Sequence, residues 1–246
     1  MNDSLDIGRV LSRGFQTIAN QFAVLAALSI LLAGIPAVVM GMFAARTAGD
    51  PAQALAIISS PWYWATFLIT ILFSFILQAA LVRASILDLR SEPVAIGPIL
   101  VEALSLLLPM IGMTFVIGIS VMFGMILLIV PGIMLLCMWI VAVPVLVGER
   151  RGVFGSLERS AELTKGSRWW IFLLLIIYVV AAAIVRSVSG LTGLTAGSAS
   201  VTTLIVTMIV STIIGMVASV MVAALYIELR GLKEGEAAGG LAEIFA

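Results

Sequence analysis

The chain has 246 residues, 62% of them hydrophobic and 11% charged, and its mean hydropathy is +1.24. Soluble domains carry about a quarter charged residues, so this composition excludes an ordinary soluble protein. Lys plus Arg and Asp plus Glu each number 13, so no net charge favours nucleic acid as a partner. Histidine is absent and Cys137 is the single cysteine, which excludes imidazole catalysis, histidine-ligated metals and an intrachain disulfide. We therefore expect no catalytic, cofactor-binding or metal site.

Taken in chain order, six apolar stretches are long enough to cross a bilayer core, which requires about 20 helical residues. Two lie at residues 22–45 and 62–82, two share the uncharged run between Glu102 and Glu149, and two lie at about 169–185 and 201–227. The predicted turn within the uncharged run is Pro131-Gly132, because proline tolerates the first turn of a helix and glycine accepts a positive φ. The sequence predicts an all-α polytopic membrane protein with six transmembrane helices in three hairpins.

The basic residues predict the orientation of the chain in the membrane. Six crossings put both termini on one side, and all Lys and Arg residues except Arg46 and Arg186 lie on that side. By the positive-inside rule this side is the cytoplasm. We expect a multi-pass protein of the bacterial inner membrane. The first apolar run is too long for a cleaved signal peptide, whose apolar core has about 7 to 15 residues.

A short segment with helical apolar spacing precedes each hairpin. The three segments align on Leu11, Leu100 and Leu157. Each is predicted to end nine residues later at a residue that stops or turns a helix, namely Asn20, Pro109 and Gly166. Their other faces carry charges, as in amphipathic helices that lie in the cytoplasmic membrane interface. The apolar positions are Ile7, Val10, Leu11, Phe15 and Ile18, then Ile96, Ile99, Leu100, Ala103 and Leu107, then Val153, Phe154, Leu157, Ala161 and Thr164.

The three hairpins also end alike, with an acidic residue followed by an arginine. The shared register predicts an internal triplication, with repeats at residues 5–90, 95–151 and 153–230. Together they form a single membrane domain, residues 1–230, followed by a flexible cytoplasmic tail at 231–246. The triplication requires that the hairpins superimpose and that their terminal acids lie at equivalent depth. These acids and arginines are Asp88 and Arg90, Glu149 and Arg150, and Glu228 and Arg230.

Charged residues near the membrane boundary are the candidate contacts for a lipid or a protein partner. A carboxylate cluster there could bind a cation or a lipid amine, because desolvation strengthens charge pairing. Local pairing with neighbouring arginines is the simpler interpretation. The candidates are Asp88, Arg90, Glu149, Arg150, Arg159, Lys165, Glu228 and Arg230.

Two of the crossings carry small residues four positions apart. This spacing lets helix backbones pack closely, and the alternative is a polar path lined by hydroxyl groups. Gln78 is the most polar side chain deep in a span and is the candidate pocket residue. The small residues are Ser29, Ala33, Ala37, Gly41 and Ala45 in the first crossing and Ala199, Thr203, Thr207, Ser211, Gly215, Ser219 and Ala223 in the sixth.

One block of the sequence resembles the signature of a bacterial membrane family. It comprises Pro131-Gly132-Ile133, Pro144, Glu149, Arg159-Ser160, Leu163-Thr164-Lys165-Gly166 and Trp169. Over essentially its whole length the chain resembles the integral-membrane domain that is fused to some glycerophosphoryl diester phosphodiesterases and also occurs alone. The resemblance implies a six-helix membrane domain and no activity, because in the fused proteins the hydrolase is a separate soluble barrel. This chain lacks that barrel and its histidines.

Two hypotheses from different functional classes follow. The first is a non-enzymatic inner-membrane protein that engages membrane lipids or a membrane-protein partner through its interfacial helices. The alternative is a small-solute or lipid transporter with a path near Gln78 and the sixth helix. A continuous wet cavity would favour transport, and a dry bundle would favour the first hypothesis. An intramembrane enzyme is the least supported, because the sequence offers no nucleophile paired with a base. The sequence leaves the oligomeric state open.

Overall fold

A computed structural model describes residues 5–34, 36, 39–43, 51–196 and 201–244. These residues are almost entirely α-helical, and none of them forms a strand. Six stretches of helix are long and apolar enough to cross a membrane, which confirms the predicted all-α polytopic fold. The helices are α1 (Ile7–Ser29, continued by a π-helical turn, Ile30–Gly34), α2 (Pro51–Ile58), α3 (Pro61–Leu89), α4 (Ile96–Ser105), α5 (Leu107–Leu127), α6 (Ile129–Trp139), α7 (Ala142–Glu149), α8 (Gly152–Leu163), α9 (Arg168–Ala196) and α10 (Val201–Ile244).

The candidate spans follow the predicted crossings closely. They are Ile7–Phe43, Pro61–Leu89, Leu107–Leu127, Ile129–Glu149, Arg168–Ser187 and Ile205–Gly235. The first of these includes the predicted interfacial segment, because α1 passes from that segment into the first crossing without a loop. Gln21 (φ −112°, ψ 20°) marks a kink inside α1, one residue after the predicted end at Asn20.

Each of the three interfacial segments is helical and buries one face. In α1 the buried positions are Val10, Gly14 and Thr17, while Phe15, which we expected on this face, is 59% exposed. The second segment, α4, ends at Ser105 with Leu106 as its C-cap, instead of at Pro109. The third, α8, ends at Leu163, before Gly166, whose φ is +91°.

The turn between the third and fourth crossings was predicted at the wrong place. The chain reverses at Leu128 (φ −161°, ψ 143°), and Pro131 and Gly132 lie in the first turn of α6. A proline is tolerated there because the first amides of a helix have no intrahelical acceptor. Gly132 has a different role from the one predicted. A Cβ atom at this position would lie 2.9 Å from the backbone nitrogen of Met125, so the glycine allows α5 and α6 to approach closely.

The core lies where the second helices of the three hairpins meet. We call α3, α7 and α10 the exit helices; each contacts the other two. Gly148 of α7 lies between Ile86 of α3 and Tyr226 of α10, with an added Cβ 3.6 and 3.4 Å from their side chains. The residues two, three, four and eight positions before Asp88, Glu149 and Glu228 are all at most 1% exposed. They are Ile86, Ser85, Ala84 and Ala80, then Val147, Leu146, Val145 and Val141, then Tyr226, Leu225, Ala224 and Val220.

The interfacial helices pack in a cyclic order around this core. Helix α4 packs on α3, α8 packs on α7, and α1 packs on α10. Each interfacial helix therefore lies against the exit helix of the preceding hairpin, and the first lies against the last. This order and the shared buried register are compatible with the predicted triplication, while the superposition of the three hairpins and the equal depth of their terminal acids stay predictions.

Helix α10 does not end where we expected the tail to begin. It continues past residue 230 to Ile244, with an ion pair from Arg230 Nε to Glu234 Oε1 of 2.7 Å across one helical turn. Such a pair supports a helix that extends beyond the membrane. The end of the predicted tail, residues 245–246, lies outside the described residues.

Candidate functional site

The carboxylate of Glu228 joins the last exit helix to the first interfacial helix. It is 4% exposed and accepts hydrogen bonds from Arg9 Nη1 and Arg13 Nη1, each at 2.8 Å. Arg9 and Arg13 are one turn apart on α1, so both reach the same carboxylate. Two charge-assisted bonds satisfy a buried anion that would otherwise be costly.

The carboxylate of Glu149 plays the corresponding part between α7 and α8. Arg159 Nε lies 3.6 Å from Glu149 Oε2, and Arg151 Nε lies 2.8 Å from the same oxygen. The hydroxyl of Tyr226 donates to Glu149 Oε1 at 3.0 Å. Glu149 of α7 therefore binds side chains of a second exit helix, α10, and of the third interfacial helix, α8.

The junction between α3 and α4 uses the opposite polarity. Here the acid, Glu102, is on the interfacial helix, and Arg83 Nε of the exit helix lies 2.8 Å from its Oε2. Arg150 Nη2 lies 2.9 Å from the other oxygen. Glu102 occupies the position two residues after Leu100, as Arg13 and Arg159 follow Leu11 and Leu157. The residue two positions after the aligned leucine thus forms an ion pair with an exit helix in all three segments.

The remaining predicted contact residues divide into paired and exposed groups. Asp88 Oδ1 accepts a hydrogen bond of 3.0 Å from Gln21 Nε2, at the kink in α1. Arg150 and Arg230 pair with Glu102 and Glu234. Arg90 and Lys165 are exposed on the surface.

The acidic residues therefore do not form one cluster for a cation. Each of Asp88, Glu149 and Glu228 binds groups of this same chain, and Glu228 is almost inaccessible. Together with the buried core of the exit helices, these contacts hold the helices together at the charged end of the bundle, where a pocket of about 400 Å³ is lined by residues 5–9, Trp170 and Leu232. Among the described residues, no group of three or more Cys, Asp or Glu side chains is placed to hold a metal ion.

A cleft of about 450 Å³ lies on the opposite half of the bundle. The first crossing, α3 and α10 form its walls. Leu32 and Ala33, which line it from the first crossing, belong to the π-helical turn. This turn follows Ser29, whose buried hydroxyl has no hydrogen-bond partner. The described residues that line it are Leu32, Ala33, Met40, Thr70, Ser74, Leu77, Thr207, Met208, Ser211, Thr212, Gly215 and Met216.

The position of the cleft follows from the helical rise. Counted along α10 at about 1.5 Å per residue, Met216 is about 18 Å and Thr207 about 31 Å from Glu228. Along α3, Leu77 and Thr70 are about 16 Å and 27 Å from Asp88. A bilayer core is about 30 Å thick, so the cleft extends from the middle of the membrane to the boundary opposite the ion pairs.

Gln78, the predicted pocket residue, is exposed and does not line this cleft. Its neighbour Leu77 does. The exit-helix core sets the rotation of α3, and in that rotation Thr70, Ser74 and Leu77 face the cleft. A single polar residue could not reveal this rotation.

The small-residue pattern of the sixth crossing serves two purposes. Ala223 is fully buried in the exit-helix core, as expected for packing, whereas Thr207, Ser211 and Gly215 line the cleft. Ala199 lies outside the described residues. Sequence reasoning missed the contribution of α3, although Thr70 and Ser74 have the same spacing of four.

No protein-family model, curated protein or solved structure matches the chain.

Proposed function

We propose that this chain is a non-enzymatic protein of the bacterial inner membrane that binds a membrane lipid in the cleft between the first crossing, α3 and α10. Both termini face the cytoplasm in this proposal, because the basic residues concentrate at the charged end of the bundle. The cleft then belongs to the periplasmic half of the bilayer.

The observation that carries the proposal is the asymmetry of the bundle. The half with the ion pairs has a buried core between its helices, and the pocket described there, of about 400 Å³, is lined by residues 5–9 with Trp170 and Leu232. The other half holds the cleft between the first crossing, α3 and α10. A cleft that ends at a dry core cannot conduct a solute across the membrane without a large rearrangement. Its neighbours in the bilayer are lipid chains, so a lipid is the ligand that such a cleft meets first.

The lining of the cleft favours binding over catalysis. The described lining residues are aliphatic, methionine, glycine, serine and threonine residues, and none of these has an ionisable side chain. General acid and base catalysis requires a group that exchanges a proton near neutral pH. The interfacial helices support the bundle in this proposal, because their charges are used within the chain.

Membership of the family of integral-membrane domains found with glycerophosphoryl diester phosphodiesterases is part of the proposal. The supporting residues are those of the Pro131 to Trp169 block, together with the six spans. An association with lipid-handling proteins would agree with a lipid-binding role. No hydrolytic activity is transferred with the resemblance.

Native mass spectrometry with a cleft-filling variant tests the lipid-binding proposal. A Cβ atom at Gly215 would meet no atom within 4 Å, and Gly215 lines the cleft. Gly215→Leu should therefore fold normally and lose most of the lipid that the wild-type protein retains after release from mild detergent.

Gly118→Leu is the matched control. Gly118 also has no atom within 4 Å of an added Cβ, and it lines a separate groove of about 440 Å³ between α3 and α5. This variant should retain lipid as the wild type does. Equal lipid retention by both variants would contradict the proposal.

A small-solute transporter is the second candidate, because hydroxyl groups of both α3 and α10 line the cleft. Transport would require the exit-helix core to open, so the cleft would have to contain water in at least one state.

A further inference from the structure

We propose that the cleft recognises the ester groups of a diacyl phospholipid from the periplasmic leaflet, with one acyl chain inserted toward the middle of the membrane. This inference rests on the lipid-binding function proposed above. It names the part of the lipid that is recognised and the residues that recognise it.

Three hydroxyl groups in the cleft are available to a ligand. Hydroxyls in transmembrane helices commonly bond to a backbone carbonyl one turn earlier, and the two lining hydroxyls of α3, Thr70 and Ser74, do so here, at 2.9 and 2.6 Å. Within the part of the chain that the structure describes, Thr207, Ser211 and Thr212 make no such bond. All three lie on α10 along one wall of the cleft.

The uncharged lining restricts the group that these hydroxyls can bind. A phosphate placed in the cleft would be desolvated without a cation to pair with it, which is strongly unfavourable. An ester carbonyl is a neutral acceptor and pairs with a hydroxyl donor without this cost. The chemistry of the wall therefore favours the esters of a lipid over its headgroup.

The depth of the polar and apolar residues matches such a lipid. Counted along α10, Thr212, Ser211 and Thr207 are about 24 to 31 Å from Glu228, which is near the far boundary of a core about 30 Å thick. The ester groups of that leaflet lie at this boundary. The deepest lining residues, Leu32, Leu77 and Met216, are apolar and offer a surface for the acyl chain.

A competition between ester and ether lipids tests this inference. The purified protein is incubated in detergent with equal amounts of dioleoyl phosphatidylethanolamine and its dialkyl ether analogue, and the bound lipids are read by native mass spectrometry. The two lipids share headgroup and chain length and differ in their carbonyls. Two hydrogen bonds of the strength measured in membranes predict a preference for the ester of about fivefold to tenfold.

The preference should depend on the three free hydroxyls. The variant Thr207→Val, Ser211→Ala, Thr212→Val should bind both lipids equally. Thr66→Val, which removes a hydroxyl that already bonds Trp62 O outside the cleft, should keep the preference. Exchange of phosphatidylethanolamine for phosphatidylglycerol should leave the ester preference unchanged.

The outcomes separate the two proposals. Equal retention of ester and ether lipid by the wild type would overturn the ester recognition and leave lipid binding intact. A strong selection by headgroup would also overturn it. Retention of neither lipid would overturn the proposed lipid-binding function itself.

Discussion

At the scale of single residues, Glu228 is the side chain on which the charged end of the bundle depends most. It is nearly inaccessible, and both of its oxygens accept a bond from an arginine of α1. Glu228→Gln removes the anion that pairs with Arg13 and leaves Arg9 with Asp6, 3.9 Å away, as its acidic partner. Because Arg9 and Arg13 are partly exposed and water can solvate them, we expect a moderate destabilisation of about 1–3 kcal/mol.

The measurement for this substitution is thermal unfolding in detergent. Glu158→Gln is its control, since Glu158 is an exposed acid on α8. The control should unfold at the wild-type temperature. A Glu228→Gln protein as stable as the control would show that the ion pairs do not hold the first interfacial helix.

Gly132 supports a second prediction at the residue scale. Its Cβ position lies 2.9 Å from the backbone nitrogen and 3.1 Å from Cα of Met125, and a backbone cannot move as a flexible side chain can. Gly132→Ala should destabilise the protein by about 1–3 kcal/mol through overpacking. Gly118→Ala, where an added Cβ meets nothing within 4 Å, should have a neutral or slightly stabilising effect. Equal unfolding temperatures for both variants would contradict the close approach of α5 and α6.

At the scale of helices, the three junctions between interfacial and exit helices form one pattern with one reversal. Arg13 and Arg159 pair with acids of the exit helices, whereas Glu102 pairs with Arg83. The reversed polarity disfavours pairing of α4 with α7 or α10, because its acid would then face another acid. The charges thus help to specify which interfacial helix packs on which exit helix.

Exchange of the charges at the reversed junction tests this pattern. Arg83→Glu alone places two acids in contact and should destabilise the protein by about 1–3 kcal/mol. Addition of Glu102→Arg gives this junction the polarity of the other two and should recover at least half of the loss. The pairing with Arg150 is not recovered, so full rescue is not expected. A double variant less stable than the single variant would contradict the idea that the α3–α4 junction is equivalent to the other two junctions.

The sequence was informative about helices and less informative about how they are rotated. Runs of apolar residues predicted all six spans, and the apolar spacing predicted three interfacial helices within a few residues of their ends. The position of the turn at Leu128 was missed, because Pro131 is compatible both with a turn and with the first turn of a helix. The face that α1 buries was also misjudged at Phe15, since Gly14 allows closer packing against Met221.

The site was harder to predict because it is built from helices distant in the chain. The four-residue spacing in the sixth crossing correctly marked Thr207, Ser211 and Gly215 as a distinct stripe, and it left open whether they packed or lined a path. These three residues line a cleft because residues of α3 and of the π-helical turn in the first crossing form its other walls. Gln78 is exposed and does not line this cleft, because polarity alone does not indicate which way a helix faces, and its role as a pocket residue stays a prediction.

At the scale of the whole molecule, the two halves of the bundle differ. One half contains the exit-helix core and the ion pairs, and the other half contains the cleft. A lipid-filled cleft and a water-filled cleft predict different environments for the same residue, Ser211, which is exposed and lines the cleft.

The most direct test is therefore the collision accessibility of a spin label at position 211 in lipid nanodiscs. Every protein carries Cys137→Ala and one new cysteine for the label. The test protein carries Ser211→Cys. Phe123→Cys, on the exposed surface of α5, is the lipid reference, and Glu158→Cys, on α8, is the water reference. If lipid fills the cleft, the label at position 211 should collide frequently with oxygen and rarely with a water-soluble nickel complex, as the label at position 123 should. Nickel collisions as frequent as at position 158 would show a water-filled cleft, which would contradict lipid binding and favour a solute path.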